Sequence, residues 1–336
     1  MKQVVTLRDI AFSTGVSKST VSRALSGNCS NIKKETQQMI QDVAKQMGYK
    51  QNKTAINFRD KRTRTIGVVV PELITSFYVK FVDFVQSIVE AKGYQVIFAI
   101  CNEDSTIEKE KLQMMLENQV EGILISACHN TKNISLYKEL IEEGIPLVFF
   151  DRMVDGISTP KVKMDDYYKS FFLVEHLIRS GRKNIVHLAG PSYMQSARER
   201  TRAYKDAMEK FNLPVNPNFI IDSGINFEDG ENSMEMFIKQ NIPFDGVFCF
   251  TEMCALGVQS FLQKHHYSIP KDVAICCFSG TALSTYVHPK LTVVEQPVEL
   301  MAEKSIELLL EKLQDSDVPD REIVLEATMI IRESTE

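Results

Sequence analysis

The chain has 336 residues, 44% hydrophobic and 25% charged, an ordinary globular composition at more than twice the length of a typical domain of roughly 100–150 residues. Its formal charge of −5 is unevenly distributed: residues 1–64 hold 13 Lys/Arg against 4 Asp/Glu, and the rest hold 26 against 40. No apolar run approaches the roughly 18 residues of a membrane span, and no basic-then-apolar leader opens the chain, so a cytoplasmic protein without a membrane partner is expected.

A basic head on an acidic body is the electrostatic footprint of a polyanion partner for the head; the competing reading is a solvated charged face. The seven cysteines are scattered, without C-x-x-C spacing, which suggests neither a disulfide framework nor a zinc site. They read as small buried hydrophobes, and no metal or cofactor is expected.

In the head, Thr6-Leu7-Arg8-Asp9 places a hydroxyl and an acid at capping-box spacing before Leu7, Ile10 and Ala11, which predicts a short helix ending near Thr14-Gly15. Ser17 then caps a second helix with Thr20, Val21, Ala24 and Leu25 at helical spacing. A third amphipathic helix is expected over about Lys33 to Met47, closed by Gly48. Two short helices joined by a tight glycine-bearing turn form the helix-turn-helix pattern. Laid in the major groove, the second helix presents its first turn, Lys18 and Ser19, and then Arg23, to base edges. The short hydroxyls of Ser17, Thr20 and Ser22 suit phosphate oxygens or capping, and Thr6 and Asn28 can join them.

The run Gly15 to Gly27 (GVSKSTVSRALSG), the helix ending Met47-Gly48-Tyr49, and Thr63 to Leu73 (TRTIGVVVPEL) resemble the lactose-repressor/galactose-repressor family of bacterial transcription factors. The resemblance extends over essentially the whole chain. It implies that Lys18, Ser19 and Arg23 are the base readers of a homodimer on a pseudo-palindromic operator.

Residues 50–64 are polar and basic, and they read as a linker that orders on binding. The resemblance implies a hinge helix in the minor groove through Asn52, Ala55 and Phe58. Phe58 stands where the family places a wedging leucine, and Gln51 replaces the usual proline; packing of Phe58 against the body is the alternative.

From Thr65 onward, apolar strands alternate with amphipathic helices. The first series is Ile66–Val70, Gln95–Ile100, Gly122–Ser126 and Leu147–Phe150. The second is Asn184–Ala189, Phe219–Asp222, Gly246–Phe250 and Val273–Phe278. Continuous apolar strands between helices predict parallel sheets covered on both faces, built twice. Leu291–Gln296, a helix over Val298–Leu313 and a final strand about Ile323–Ile331 follow. The expected fold is thus an all-α head (1–49), a hinge (50–64) and an α/β body (65–336) of two doubly wound subdomains. The resemblance makes the body periplasmic-binding-protein-like, with subdomains of about 65–161 plus 294–320 and 162–293 plus 321–336.

Two facing α/β lobes bind ligands at the carboxyl ends of their strands. Phe77 and Tyr78 follow the first strand and Asp151 the fourth; Tyr78 can equally cap the core, and Asp151 can pair internally with Arg152. The resemblance places Arg200 on the family's cleft arginine, with Arg198 and Arg202 read as solvated. Thr251-Glu252 and Ser279-Gly280 replace the family's Asn-Asp and Asp-Asp. The missing acid at Ser279 suggests an anionic effector beside Arg200, such as a sugar phosphate or acid, and an empty degenerate pocket is the competitor. The general expectation is a sugar or sugar-derivative effector.

No G-x-S-x-G, Walker loop or H-E-x-x-H occurs, and Asp165-Asp166 reads as a helix start rather than a catalytic pair, so an enzyme is not expected. The expected function is a sequence-specific transcriptional regulator, most simply a repressor of carbohydrate catabolic genes. A sugar-binding protein without DNA regulation is the alternative, which the basic head opposes.

Overall fold

The computed structural model describes residues 5–25, 32–49, 62–73, 76–222 and 225–336. The chain divides into two compact units, Met1–Thr63 and Arg64–Glu336.

The first unit holds three helices, α1 (Leu7–Thr14), α2 (Lys18–Leu25) and α3 (Lys34–Gln46). Thr6 opens α1 through a capping box with Asp9, and Gly15, at φ 68, ends it in the left-handed conformation that glycine adopts without strain. Ile10, Val21, Ala24, Ile40 and Ala44 are buried together, one stripe from each helix.

The second unit is two lobes. Lobe 1 contains β1 (Thr65–Val70), α4 (Ser76–Ala91), β2 (Gln95–Ile100), α5 (Ser105–Glu117), β3 (Gly122–Ile125), α6 (Ile134–Glu142), β4 (Leu147–Phe150) and β5 (Lys161–Met164). Lobe 2 contains α7 (Asp166–Arg179), β6 (Ile185–Leu188), α8 (Gln195–Lys210), β7 (Ile220–Ile221), α9 (Phe227–Lys239), β8 (Gly246–Cys249), α10 (Glu252–Lys264), β9 (Ala274–Phe278) and β10 (Thr292–Glu295). The chain returns to lobe 1 as α11 (Val298–Gln314) and β11 (Glu322–Leu325), and ends in lobe 2 with β12 (Thr328–Ile330). The sheet orders are β11-β5-β4-β3-β1-β2 and β12-β10-β9-β8-β6-β7, with only the β10–β12 pair antiparallel.

Both faces of each sheet are covered. Leu112, Met115, Tyr137 and Leu140 of α5 and α6 pack one face of lobe 1, and Met234, Phe237, Val258 and Leu262 of α9 and α10 pack one face of lobe 2. A third core, with Phe81, Val85, Leu173, Tyr204, Met301 and Leu309, covers the remaining faces and runs through both lobes. α9 and α10 cross closely, because a Cβ on Gly230 would meet the Cys254 carbonyl at 2.1 Å and one on Gly257 the Phe227 carbonyl at 2.0 Å.

The lobe boundaries differ from the expected ones. Residues 161–164 form β5, paired with β4 and β11 inside lobe 1, and β10 lies wholly in lobe 2. The expected last strand is two strands in different sheets, β11 and β12, separated at Glu326-Ala327. The three crossings therefore fall at Asp165, Gln296-Pro297 and Glu326-Ala327. The strand expected at Phe219–Asp222 is reduced to two residues by a 3-10 turn over Pro217–Phe219. All six described cysteines are buried.

Candidate functional site

In the head, the hydroxyls form a capping cluster. The Thr6 hydroxyl and N–H both donate to Asp9 Oδ2, at 2.8 and 2.7 Å. These bonds, the backbone one foremost, hold the Asp9 carboxyl below the usual range. Ser17 Oγ accepts from the Thr20 N–H at 3.1 Å and lies 2.8 Å from the hydroxyls of both Ser19 and Thr20. Ser17, Ser19 and Thr20 are thus engaged in starting α2, and Ser22 is half-buried on the same helix. Lys18 and Arg23 are exposed, and Arg23 Nε donates to the Ser19 carbonyl at 3.4 Å. Asn28, Asn52, Ala55 and Phe58 lie outside the described residues.

In the body, the expected cleft residues separate into two groups. Ser76, Phe77 and Lys80 of α4 face Thr251, Glu252 and Ser279 of lobe 2 around a cavity of about 320 Å³. Two of these side chains are already occupied. The Thr251 hydroxyl donates to the Ile225 carbonyl at 2.7 Å and caps α10 by accepting from the Cys254 N–H. The buried Glu252 carboxylate accepts the Thr281 and Ser284 N–H groups at 2.8 and 2.9 Å and the Thr281 hydroxyl at 2.5 Å. Glu252 therefore shapes the 281–285 turn that walls the cavity. Ser279, at φ 60, lines it directly, as does Gln296 in the connection that crosses between the lobes.

Tyr78, Asp151 and Arg200 form a polar cluster instead. Buried Tyr78 donates to Asp151 Oδ2 at 2.6 Å and lies 3.0 Å from Ser126 Oγ. Burial raises the Asp151 pKa, and the nearby Asp166 carboxylate adds to the shift against Arg152, Tyr78 and Arg200. Arg200, 3% exposed, donates through Nε and Nη2 to Asp166 Oδ1 at 2.9 and 2.7 Å and through Nη1 to the Phe250 carbonyl at 2.8 Å. Its guanidinium lies 3.7 Å from the Phe278 ring centre and 4.5 Å from that of Phe250. The pairing with Asp166 removes the reason for expecting an anionic effector at Arg200, because that charge is already balanced. Arg198 and Arg202 are not simply solvated: Arg198 bonds the Ser192 and Tyr193 carbonyls, and Arg202 pairs with Glu199 and covers Tyr167.

Sequence reasoning missed four participants. Asp165 does cap α7, accepting from the Tyr168 N–H at 2.9 Å, which leaves the second carboxylate of the doublet, Asp166, for Arg200. At the cleft mouth, His129 of lobe 1 stacks on Tyr193 of lobe 2 with ring centres 3.8 Å apart. Glu103 anchors His129 at 2.9 Å and bonds Arg152. Burial opposes Glu103 ionisation, yet Arg152 and His129 hold its pKa below the usual range.

Two family models match successive parts of the chain, the lacI family of bacterial regulatory proteins over residues 6–52 and the periplasmic binding protein-like domain over residues 174–335. The chain belongs to the LacI family. Among its relatives, the HTH-type transcriptional regulator RegA of Clostridium saccharobutylicum is 28% identical over 98% of both chains. Catabolite control protein A of Priestia megaterium is 28% identical over 98% of this chain and 99% of its own, and the repressor CytR of Escherichia coli strain K12 is 26% identical over 98% and 96%. The fold matches that of the lac repressor dimer bound to operator and the anti-inducer ONPF, with TM-score 0.87, 21% identity and 99% of each chain covered. It also matches the regulator CelR in complex with cellobiose, with TM-score 0.74, 23% identity and coverage of 98% and 99%. This LacI-family chain is a DNA-binding transcriptional regulator and not an enzyme. Among the described residues, no helix is long and apolar enough to cross a membrane.

Proposed function

We propose that this LacI-family protein is a homodimeric, cytoplasmic, nucleoid-associated repressor of carbohydrate catabolic genes, released from or fixed to its operator by a sugar or sugar derivative. Each head reads one half-site in the major groove through Lys18, Ser19 and Arg23, with phosphates held by Thr6, Ser17, Thr20, Ser22 and Asn28. Asn52, Ala55 and Phe58 enter the minor groove at the operator centre. The observation that carries the reading is the pairing of a capped, cationic α2 with a two-lobed body that encloses a cavity of about 320 Å³, within the range of small-molecule sites.

In the cavity, Phe77 and Ser279 contact the effector while Thr251 and Glu252 hold the wall in shape. Asp151, Tyr78 and Arg200 set the closure of the lobes around it. The effector is neutral where it meets Arg200, since Asp166 already balances that guanidinium. Closure changes operator affinity by a coupling of about 1–3 kcal/mol.

The test is selection of duplexes from a random DNA pool by the full-length protein at moderate salt. A two-fold symmetric motif with half-sites about one helical turn apart is expected. Binding that is only salt-sensitive and motif-free, with and without candidate sugars, would refute the repressor reading.

A further inference from the structure

Lobe 2 carries a second cavity, of about 390 Å³, lined by residues of that lobe alone between α8 and the carboxyl ends of β6 and β7. Arg198, Arg202 and Lys205, at i, i+4 and i+7, present one face of α8 to it. Ala189, Ala197 and Ile220 give it apolar walls, and Thr201 adds a hydroxyl.

The charges here do not cancel. Asp222 is the acid in the lining, and its carboxylate already accepts the Ser192 N–H and hydroxyl at 3.2 and 2.6 Å. Arg202 has Glu199 as its carboxylate. Arg198 bonds only backbone carbonyls, through Nη1, and neither Arg198 nor Lys205 has a carboxylate partner among the described residues. Asp222 and Glu199 offset two of the three cations, which leaves one excess positive charge beside a cavity of small-molecule size in a body that carries an excess of acid. The floor loop also touches the cleft, because Tyr193, next to Ser192, is the residue stacked on His129 of lobe 1.

We infer that this cavity binds a phosphomonoester of a small metabolite. The dianionic phosphoryl group sits between Arg198 and Lys205, and the carbon body lies on the apolar wall. This site is separate from the sugar cleft, and its existence does not depend on the operator reading.

The test is titration of full-length protein with glycerol 3-phosphate and with inorganic phosphate at constant ionic strength, followed by calorimetry and phosphorus NMR. Saturable binding of the ester, tighter than that of inorganic phosphate, is expected. Arg198→Ala/Lys205→Ala should weaken it at least tenfold with the unfolding temperature retained. Lys205→Arg should keep affinity within threefold, and Lys80→Ala, in the other cavity, should leave it unchanged. Absence of saturation, equal affinity for both probes, or no effect of the double substitution would overturn the inference. A loss in Lys80→Ala equal to that in the double variant would place the anion in the cleft instead and overturn it as well.

Discussion

Removing the Asp166 carboxylate should destabilise the body far more than an ordinary surface substitution, because it leaves Arg200 as a buried cation without a counter-charge. The Arg200 side chain is 4% exposed and its partner 19%. Two of its three hydrogen bonds end on Asp166 Oδ1, and the third, on the Phe250 carbonyl, carries no full charge. Breaking a buried pair by removing one partner costs about 3–5 kcal/mol. The partial exposure of Asp166 lets water reach the vacated place and favours the lower end. With each kcal/mol shifting the unfolding temperature of a large domain by about 2–4 °C, Asp166→Ala should lower it by about 6–12 °C at 3 kcal/mol. Urea and thermal unfolding of the full-length protein measure this directly. Asp166→Asn, which keeps an acceptor, should lose less, and Asp166→Ala/Arg200→Met should recover part of the loss, because the unpaired charge is gone. A loss below about 1 kcal/mol in Asp166→Ala, or a double variant worse than the sum of the singles, would show that the pair does not anchor this part of the body.

Buried His187 lies between Tyr204 and Phe248, and burial lowers its pKa to about 3. The unfolded chain takes up a proton near pH 6.5 that the folded one refuses. The His187 contribution is therefore complete above that pH and is lost at about 1.4 kcal/mol per unit below it, a cumulative loss of about 2 kcal/mol by about pH 5; His187→Gln should flatten this acid limb in pH-dependent urea unfolding. Gly257→Ala drives a methyl into the Phe227 carbonyl and should cost about 1–3 kcal/mol in the same assay, with no loss indicating that α9 and α10 can separate freely. Arg23→Ala should lose about 1–3 kcal/mol of operator affinity and relax one base position, as read by repeating the duplex selection. Phe58→Ala should weaken specific binding while sparing weak, salt-sensitive binding, and equal losses in both would show that it is no wedge.

The strand–helix rhythm of the body was readable because its central strands are continuous apolar runs, such as Gly246–Cys249 and Ala274–Phe278, that only a doubly covered sheet can bury. β5 was not readable as a strand. Its sequence Lys-Val-Lys-Met alternates, with Val162 and Met164 buried and the lysines half-exposed, so four residues look like a polar connection until β4 and β11 flank them. The split of the last apolar run into β11 and β12 was hidden for a related reason, since hydropathy is continuous across a change of sheet. In the site, single residues at strand ends were legible, but their partners were not. Nothing local ties Asp166 to Arg200, 34 positions away, or His129 to Tyr193, and which carboxylate is free depends on such partners. Glu252 shows the same limit, because the backbone N–H groups that occupy it belong to a turn about thirty residues downstream.

The three passages between lobes set the order in which the body can be completed during synthesis. Lys161 of β5 pairs with Glu322 of β11, so the first sheet lacks an outer strand until residues 322–325 have left the ribosome. The second sheet waits slightly longer for β12, which pairs with β10 through Thr328–Ile330. The head closes its own core from residues before position 50 and has no such wait. A nascent chain therefore displays a finished head long before it owns a finished body. A protease or a premature stop can yield a free head, but no single cut can yield a free lobe.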